Sequence, residues 1–390
     1  MKWQFWIDRG GTFTDLVGIS PHGKQVVRKV LSEQPTQLGD PAVQAIREVL
    51  GINGEEAIPS GLVEEVRLGT TVATNALLED AGSPVLLICN HGLGDLLQIG
   101  DQHRPDLFSL KIERPKFIAK AVLEVSGRIN AKGLEIEKLV IDKKLESEAY
   151  QHLLNGNKTC AIALLNSYAN PKHELQLQEW LNKVGFSTVI CSHQVCPLPR
   201  LVPRGQTTMV EASISTVLMN YLRQISNDLG TSTRLRIMGS SGALLTPESL
   251  LAKDTILSGP AGGMVGAVAV AHDSGFSHLP LIGFDMGGTS TDVFYKPPGQ
   301  KDDWERYPET EVAGQRLMAQ RLPIHTVAAG GGSIIYSQEK RLRVGPRSAA
   351  ANPGPACYRR GGPLTITDAN LLLGRLQAKA FPALFGSKAN

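Results

Sequence analysis

Aromatic residues and excess charge are both scarce in this sequence of 390 residues. Aromatic side chains account for 5% of it, and 40 lysines and arginines are almost balanced by 37 aspartates and glutamates. So small a net charge gives no electrostatic argument for a nucleic-acid partner. No apolar run approaches the roughly 18 residues of a membrane helix, and residues 1–8 are too soon interrupted by charge for a signal peptide. These absences predict a cytoplasmic protein without a membrane or nucleic-acid partner.

Cysteine is equally scarce. The odd count and a spacing that fits no zinc or redox motif argue against a disulfide framework and for reduced thiols. The five residues are Cys89, Cys160, Cys191, Cys196 and Cys357. Cys357 stands in a stretch rich in Gly and Pro and could line a site, although a structural thiol is the simpler interpretation.

Two common nucleotide-binding fingerprints are missing as well. There is no Gly-x-x-x-x-Gly-Lys-Ser/Thr, and no Gly-x-Gly-x-x-Gly stands between a strand and a helix.

Apolar residues, by contrast, make up 42% of the chain, enough for two hydrophobic cores. Three prolines between Cys196 and Pro203 are expected to interrupt regular structure. We therefore predict two domains, at residues 1–196 and 197–390.

Strand and helix signals predict a mixed α/β fold. Three strands are predicted at residues 3–7, 16–20 and 24–30, before a helix that begins at the N-cap Asp40 and ends at Gly51. Antiparallel strands ahead of the first helix disfavour a Rossmann-type start. The later pattern alternates, with strands at 160–165, 187–191, 235–238 and 281–285 and helices at 171–183, 207–229 and 260–271. Residues 330–375, rich in Gly, Ala and Pro, are predicted to form ligand-approaching loops.

The most informative feature is a repeated octapeptide. Residues 8–15 (DRGGTFTD) and 285–292 (DMGGTSTD) agree at six of eight positions, and each copy lies between two apolar strand segments. This agreement implies a duplicated subdomain with two equivalent turns facing one cleft. A plain hairpin turn would explain a single copy, but matching Asp and Thr positions in both copies favour a shared function.

The octapeptide carries the groups that a phosphate-binding loop needs. Paired glycines let backbone N–H groups approach phosphate oxygens, and the hydroxyls that follow add neutral donors. A carboxylate at the strand end can hold a hydrated Mg²⁺ that bridges the phosphates. Asp8 and Asp285 are therefore predicted as catalytic and metal-binding residues. The predicted phosphate ligands are Gly10, Gly11, Thr12, Gly287, Gly288, Thr289 and Ser290.

Two such loops resemble those of the actin-like ATPase, sugar-kinase and heat-shock-chaperone superfamily. The resemblance implies two ribonuclease-H-like α/β domains that face a nucleotide cleft, each with one phosphate loop. It also implies a third glycine loop for adenosine, and the candidate is Gly330, Gly331 and Gly332, although a flexible turn explains three glycines equally well. A helix that starts around Thr70, Thr71 and Asn75 is expected to point its N-terminus, which favours anions, into the same cleft.

Further segments resemble the hydantoinase A/5-oxoprolinase family, in family order over nearly the whole chain. They are Ile7–Asp15, Gly69–Glu79, Leu257–Gly263, Phe284–Val293, Asn352–Tyr358 and Thr367–Asn370. Similarity to the 5-oxoprolinases within the family comes from Arg9, Leu31–Glu33, Ile99–Gln102, Leu107–Phe108 and His325–Gly332. The resemblance implies ATP-dependent opening of the 5-oxoproline lactam to glutamate, with ATP, Mg²⁺ and K⁺ as candidate cofactors.

Several roles stay open from sequence. Asp15 and Asp292 are candidate catalytic residues, as a base or as support for the metal, but a turn-stabilising carboxylate is an equal alternative. Arg9 or Arg104 could hold the substrate carboxylate in a two-pronged contact, although Arg104 is more simply a surface or structural arginine.

The resemblance also concerns partners. Because chains of this family continue well beyond position 390, the second domain is expected to be incomplete. A partner subunit, or a C-terminal region of the hydantoinase B type, is expected to finish the hydrolysis of the cyclic amide. The alternatives are a hydantoin-opening enzyme, the ATP-binding subunit of a ketone carboxylase, or an ATP-binding module without turnover. A homo-oligomer is compatible with each of them.

Overall fold

A computed structural model of the chain describes residues 2–11, 13–32, 39–54, 56–101, 108, 110–111, 116–299, 305–350 and 352–378. The strands are β1 (Trp3–Arg9), β2 (Phe13–Ile19), β3 (Gln25–Leu31), β4 (Val63–Thr70), β5 (Val85–Asn90), β6 (Ala119–Val125), β7 (Arg128–Ile129), β8 (Glu135–Glu137), β9 (Thr159–Ile162), β10 (Thr188–Cys191), β11 (Arg234–Met238), β12 (Leu244–Leu245), β13 (Leu281–Met286), β14 (Thr291–Lys296), β15 (Thr310–Val312), β16 (Gln315–Leu317), β17 (Ile324–Val327), β18 (Ser333–Gln338) and β19 (Arg341–Ser348). The helices are α1 (Pro41–Leu50), α2 (Val72–Leu78), α3 (Leu96–Ile99), α4 (Lys143–Leu154), α5 (Lys172–Val184), α6 (Ser192–Val195), α7 (Leu201–Leu229), α8 (Ser258–Asp273) and α9 (Ile366–Leu372).

The first sheet is built around the N-terminal strand. Its order is β12-β11-β4-β1-β2-β3, with β1 antiparallel to β2 and parallel to β4. Alternate residues of β1 face the core, where Phe5 and Ile7 are buried. Helix α1 begins at Asp40, whose carboxylate accepts the Ala42 N–H at 2.8 Å, and ends at Gly51 in the left-handed conformation. The elements predicted for this opening segment, with both helix caps, are therefore confirmed.

A second sheet, β10-β9-β5-β6, is parallel throughout. β5 is buried along its whole length, as expected for a parallel strand that is covered on both faces. Helix α7 lies between the two sheets. One of its faces belongs to the core of the first sheet through Ile214 and Leu218, and another clusters with β5 through Met209 and Ala212.

The start of α7 corrects one prediction. The helix begins at Leu201 rather than at Thr207, and Pro203 lies in its first turn, where a missing N–H costs no hydrogen bond. Regular structure therefore resumes earlier than the three prolines suggested. The domain division between residues 196 and 197 stays a prediction. β11, which follows α7, pairs in parallel with β4 and so belongs to the first sheet.

The third sheet repeats the start of the first. β13, β14 and β17 form an antiparallel sheet in the same order as β1, β2 and β3. Asp285 pairs with Asp292 as Asp8 pairs with Asp15, so the two octapeptides occupy equivalent hairpins. The predicted duplication within an α/β fold is confirmed. The loops predicted for the following segment are wrong in part, because β18 and β19 form an antiparallel hairpin there.

The two copies differ in how their first strand is covered. β1 has neighbours on both edges, whereas β13 pairs only with β14 among the described residues. Phe5 and Ile7 are 0% and 4% exposed, but Ile282 and Phe284, at the equivalent positions of β13, are 77% and 69% exposed. Within the part of the chain that the structure describes, the second unit thus lacks the parallel strand and the helices that cover the first. We call the surface formed by Ile282 and Phe284 the β13 face.

A separate finding concerns membranes. Across the described ranges, every helix is too short or too polar to cross a lipid bilayer.

Candidate functional site

The two octapeptide turns have the same backbone geometry. In the first, the Gly10 N–H donates to the Phe13 carbonyl at 3.0 Å; in the second, the Gly287 N–H donates to the Ser290 carbonyl at 2.8 Å. A Cβ at Gly10 or Gly287 would lie 3.0 or 3.2 Å from that same carbonyl oxygen, so both turns favour glycine at this position. Thr12, predicted as a phosphate ligand, lies outside the described residues.

The carboxylates of the two turns lie within electrostatic reach of each other. Burial raises the pKa of the Asp8 carboxyl, and the Asp15 and Asp285 carboxylates raise it further, while Lys29 lowers it. The Asp8 side chain is open to solvent on one side, so the protein atoms around it remove only part of its hydration. A group of carboxylates close enough to raise the pKa of one member is the oxygen-rich setting in which Mg²⁺ binds. Asp8 and Asp285 therefore fit the predicted metal site.

The segment after β4 is attached to the first turn. The register of β1 and β4 places Thr70 beside Arg9. The Arg9 carbonyl accepts from both the N–H and the hydroxyl of Thr71, each at 3.3 Å, and the Asn75 amide donates to the Thr71 hydroxyl at 3.5 Å. These side chains hold the turn in place, and their contact with an anion stays a prediction. Asn75 also faces Gly11, since a Cβ there would lie 3.9 Å from its Nδ2.

The N-terminus of α8 is a part of the site that the sequence alone did not assign. The Ser258 hydroxyl donates to the Thr70 carbonyl at 3.1 Å, and a Cβ at Gly259 would lie 3.7 Å from the Asp8 carboxylate. Leu257, just before the helix, has a left-handed backbone with φ of 63°, which is costly for a residue other than glycine. The positive end of a 16-residue helix thus lies beside Asp8. The available signal was the Ser258-Gly259-Pro260 sequence, which is typical of a helix start.

The three-glycine segment packs on the second turn. The Gly331 N–H donates to the Gly287 carbonyl at 2.9 Å, and the Gly332 N–H donates to the Gly288 carbonyl at 2.6 Å. A Cβ at Gly330 would lie 2.7 Å from both of those carbonyl oxygens. Close approach to a protein backbone therefore accounts for the glycines, and their contact with adenosine stays a prediction.

The first turn is supported at the equivalent place by a side chain. The Ser32 hydroxyl donates to the Gly10 carbonyl at 2.7 Å and lies 2.9 Å from the Thr14 hydroxyl. Ser32 comes directly after β3. In the second unit, Ala329 comes two residues after β17, and its carbonyl accepts a hydrogen bond from the hydroxyl of Thr291. Each octapeptide turn is thus fixed by the chain that leaves the third strand of its sheet.

We expect Gly330→Ala to weaken ATP binding about tenfold or more, because the new methyl group can be accommodated only if the second turn moves. Isothermal titration with ATP and Mg²⁺ measures the effect. Gly266→Ala is the matched control, since no atom lies within 4 Å of a Cβ at this position of α8. Unchanged ATP affinity in Gly330→Ala would show that the second turn does not need this packing.

Asp15 and Asp292 are equivalent in position but differ in environment. Asp15 forms an exposed ion pair with Lys29 at 2.7 Å, whereas Asp292 accepts from the Thr326 hydroxyl at 2.6 Å. Burial raises the pKa of Asp292, the Thr326 hydrogen bond lowers it, and Asp285 raises it. Both carboxylates therefore stabilise their hairpins, and a catalytic role for either one stays a prediction.

The arginine next to the first turn is already paired. Arg9 Nε lies 3.3 Å from the Asp40 carboxylate, and the guanidinium lies over the Tyr221 ring at 5.2 Å. This pair connects the first turn to the N-terminus of α1. Contact of Arg9 with a substrate carboxylate stays a prediction, and Arg104 lies outside the described residues.

The Gly/Pro-rich segment near the C-terminus is organised by Asp368. Its carboxylate caps α9 together with Thr365 and accepts the N–H of Cys357 at 2.7 Å. Burial and the Asp368 carboxylate together raise the pKa of Cys357 to about 12, which argues for a structural thiol. All five cysteines are unpaired thiols, as predicted.

Comparison with known sequences adds to this geometry. Family profiles for the hydantoinase/oxoprolinase N-terminal region and for hydantoinase/oxoprolinase match residues 4–185 and 204–390. The chain is 40% identical to 5-oxoprolinase 1 of Arabidopsis thaliana, over 99% of this chain and 32% of that protein. It is 33% identical to caprolactamase subunit alpha of Pseudomonas jessenii, over 96% of this chain and 55% of that subunit. The chain thus spans about a third of the length of the 5-oxoprolinase.

Solved structures agree with the fold. A nucleotide-free acetone carboxylase superposes with a TM-score of 0.75 at 23% identity, covering 96% of this chain and 55% of that one. The ATP-dependent caprolactamase from Pseudomonas jessenii superposes with a TM-score of 0.73 at 31% identity and the same coverage. The similarity to acetone carboxylase, at 23% identity, supports the fold alone.

Proposed function

The chain belongs to the hydantoinase/oxoprolinase family, and from this we propose that it is the ATP-binding part of an enzyme that opens the lactam of 5-oxoproline. One observation carries the proposal: two equivalent glycine turns bring Asp8 and Asp285 close enough that the Asp285 carboxylate raises the pKa of Asp8. The choice of 5-oxoproline rests on the 5-oxoprolinases among the chain's relatives, which are 40% and 39% identical to it.

The chemistry explains why ATP is needed. Amide resonance makes a lactam carbonyl a poor electrophile, so water attacks it slowly. In the proposed reaction the bond from the γ-phosphorus to ADP breaks, and a bond from that phosphorus to the lactam oxygen forms. The resulting imidate phosphate is activated, and water can add to its carbon. The C–N bond of the resulting tetrahedral adduct then breaks and the ring nitrogen takes up a proton, which opens the ring to a γ-glutamyl phosphate. A second water hydrolyses this acyl phosphate to glutamate and free phosphate.

The residues of the site fit distinct parts of this reaction. Asp8 and Asp285 would hold Mg²⁺, which neutralises the charge that develops on the phosphates. Backbone N–H groups of Gly11, Gly288 and the α8 N-terminus would bind phosphate oxygens, because the two glycines belong to the turns of Asp8 and Asp285 and Gly259 of α8 borders Asp8. K⁺ remains a candidate from the family resemblance only.

A further protein region is proposed to complete the enzyme. The β13 face is apolar and exposed, while its counterpart in the first unit is covered by β4, α1 and α7. The caprolactamase relative is called a subunit, and the 5-oxoprolinases are about three times as long as this chain. We therefore expect a partner subunit, or an additional region of the hydantoinase B type, to cover this face and to carry out ring opening.

Positional isotope exchange tests phosphoryl transfer separately from ring opening. ATP with ¹⁸O in the β,γ-bridge is incubated with the full chain, Mg²⁺ and 5-oxoproline, and scrambling of the label is followed by ³¹P NMR. We expect scrambling that depends on 5-oxoproline and is lost in Asp285→Ala. Scrambling with hydantoin or caprolactam instead would favour a relative's substrate. ATP binding without scrambling under any condition would favour a nucleotide-binding module without turnover.

A further inference from the structure

Three residues stand side by side across the first hairpin and the strand that follows it. Asp8 of β1 is opposite Asp15 of β2, and Asp15 is opposite Lys29 of β3. Residues that are directly opposite each other in antiparallel strands project from the same face of the sheet, about 5 Å apart. All three are exposed, on the face opposite to the buried Phe5 and Ile7. We call this set the first charge row.

The second unit has an equivalent row with one difference. Asp285 is opposite Asp292, and Asp292 is opposite Thr326, whose hydroxyl donates to the Asp292 carboxylate at 2.6 Å. Both carboxylates are thus present again, but a neutral hydroxyl stands where the first charge row has the ammonium group of Lys29. The two units are therefore equivalent in backbone and unequal in charge. The side of the first turn is the better place for the most negative part of a bound nucleotide.

The Lys29 ammonium lies near the atoms of the proposed reaction. Burial and the carboxylates of Asp15 and Asp285 raise the pKa of the Asp8 carboxyl, whereas Lys29 lowers it. Lys29 is therefore within electrostatic reach of the carboxylate that would hold Mg²⁺ beside the phosphates. Because Asp285 of the second turn acts on the same carboxylate, the first charge row borders the space between the two turns.

The ammonium group of Lys29 is held by a contact that it can exchange for another. It donates to both carboxylate oxygens of Asp15, at 2.8 and 2.7 Å, and lies over the Phe13 ring at 4.9 Å. The Lys29 and Asp15 side chains are 42% and 50% exposed, and an ion pair so open to water contributes little to stability. Arg9, which is also next to the first turn, is instead paired with the buried Asp40, so its charge is already neutralised.

We infer that Lys29 binds the γ-phosphate of ATP and is a catalytic residue of the proposed reaction. Its ammonium would donate to a non-bridging oxygen of the phosphoryl group, which stays negatively charged while its bond to ADP breaks and its bond to the lactam oxygen forms. Lysine suits this role as a compact charge on a flexible stem, and it keeps its proton throughout. The inference rests on the proposed function and adds a direction to the site, with the γ-phosphate on the side of the first turn.

The test compares two nucleotides that differ by the γ-phosphate. Isothermal titration measures the binding of ADP and of the non-hydrolysable β,γ-imido analogue of ATP to the full chain, with Mg²⁺ present. In Lys29→Gln we expect the affinity for the analogue to fall about 10- to 100-fold, the range for hydrogen bonds to a charged group. Affinity for ADP, which lacks the contacted group, should stay within about twofold. Lys29→Arg should recover most of the loss, because a guanidinium also binds phosphate.

Lys172→Gln is the matched control, since Lys172 of α5 is 48% exposed and forms a similar ion pair with Glu135 at 2.6 Å. Thermal unfolding of each variant verifies that it is folded. Equal loss of affinity for both nucleotides, or unchanged affinity for the analogue, would overturn the assignment of Lys29. A wild-type chain that binds neither nucleotide would contradict both this role and the proposed function. If the analogue binds through Lys29 but 5-oxoproline causes no isotope exchange, the proposed function fails while the contact of Lys29 with the γ-phosphate stands.

Discussion

Asp8→Asn is expected to reduce ATP turnover by about 100- to 1,000-fold, because it removes a carboxylate from the proposed Mg²⁺ site where charge develops on the phosphates. The measurement is steady-state release of ADP from ATP and Mg²⁺, with 5-oxoproline present. Asp273→Asn is the control, since Asp273 is exposed at the far end of α8, where its carboxylate lies 3.3 Å from His272 Nδ1. Its turnover should match the wild type. Full turnover in Asp8→Asn would contradict the metal site.

The same variant is expected to be more stable than the wild type in the absence of Mg²⁺. The folded chain raises the pKa of Asp8 above its ordinary value of 3.8. The folded state therefore keeps this proton to higher pH than the unfolded state, and stability falls as pH rises from about 3.8 through the raised pKa. Asparagine carries no charge, so this penalty disappears at neutral pH.

Thermal unfolding between pH 4 and pH 8 measures this second effect. Wild-type Tm should fall more steeply with rising pH than that of Asp8→Asn, and Mg²⁺ with ATP should raise the wild-type Tm only, by mass action. A lower Tm for Asp8→Asn than for the wild type at neutral pH would show that the Asp8 carboxylate stabilises the folded state. It would contradict the interpretation that this carboxylate serves function at a cost in stability.

Ile7→Ala is expected to destabilise the chain by about 2–5 kcal/mol, whereas Phe284→Ala should change stability by less than about 0.5 kcal/mol. The two residues hold equivalent positions in the duplicated hairpins, but only Ile7 is buried. Truncation of Ile7 leaves a cavity, while truncation of Phe284 removes side-chain atoms that already face solvent. Urea denaturation, monitored by circular dichroism, gives both free energies of unfolding.

This pair of variants also examines the β13 face. A cost of about 3 kcal/mol or more for Phe284→Ala would mean that the face is already covered in the chain as it exists, for example by a second copy. Analytical ultracentrifugation distinguishes that case from a monomer. If the proposed partner region binds there, Phe284→Ala should weaken its binding even though the isolated chain is unaffected.

Sequence patterns were most informative where a structure is local. The octapeptide repeat predicted two equivalent hairpins, and the structure places Asp8 opposite Asp15 and Asp285 opposite Asp292. The caps of α1 were also readable, because Asp40 and Gly51 act on backbone groups a few residues away. The hairpin of β18 and β19 was missed, since it lies in the Gly-, Ala- and Pro-rich stretch of residues 330–375, whose composition suggested loops.

Those sequence patterns do not predict contacts between residues that are far apart in the chain. Ser32 supports Gly10 across 22 positions, and Ser258 supports the Thr70 carbonyl across 188. The sequence around Ser258 indicates a helix start, but the hydrogen-bond partner of neither serine can be predicted from it, since a hydroxyl suits many environments.

By itself, the sequence determined the family, the α/β class and the duplicated turns, because glycine pairs and strand periodicity act through the backbone of neighbouring residues. Only the tertiary structure decided which apolar strand is covered. β1 and β13 have similar apolar patterns, yet Ile7 is buried and Phe284 is exposed. Burial depends on which distant strands and helices pack against a residue, and that arrangement is a property of the folded chain.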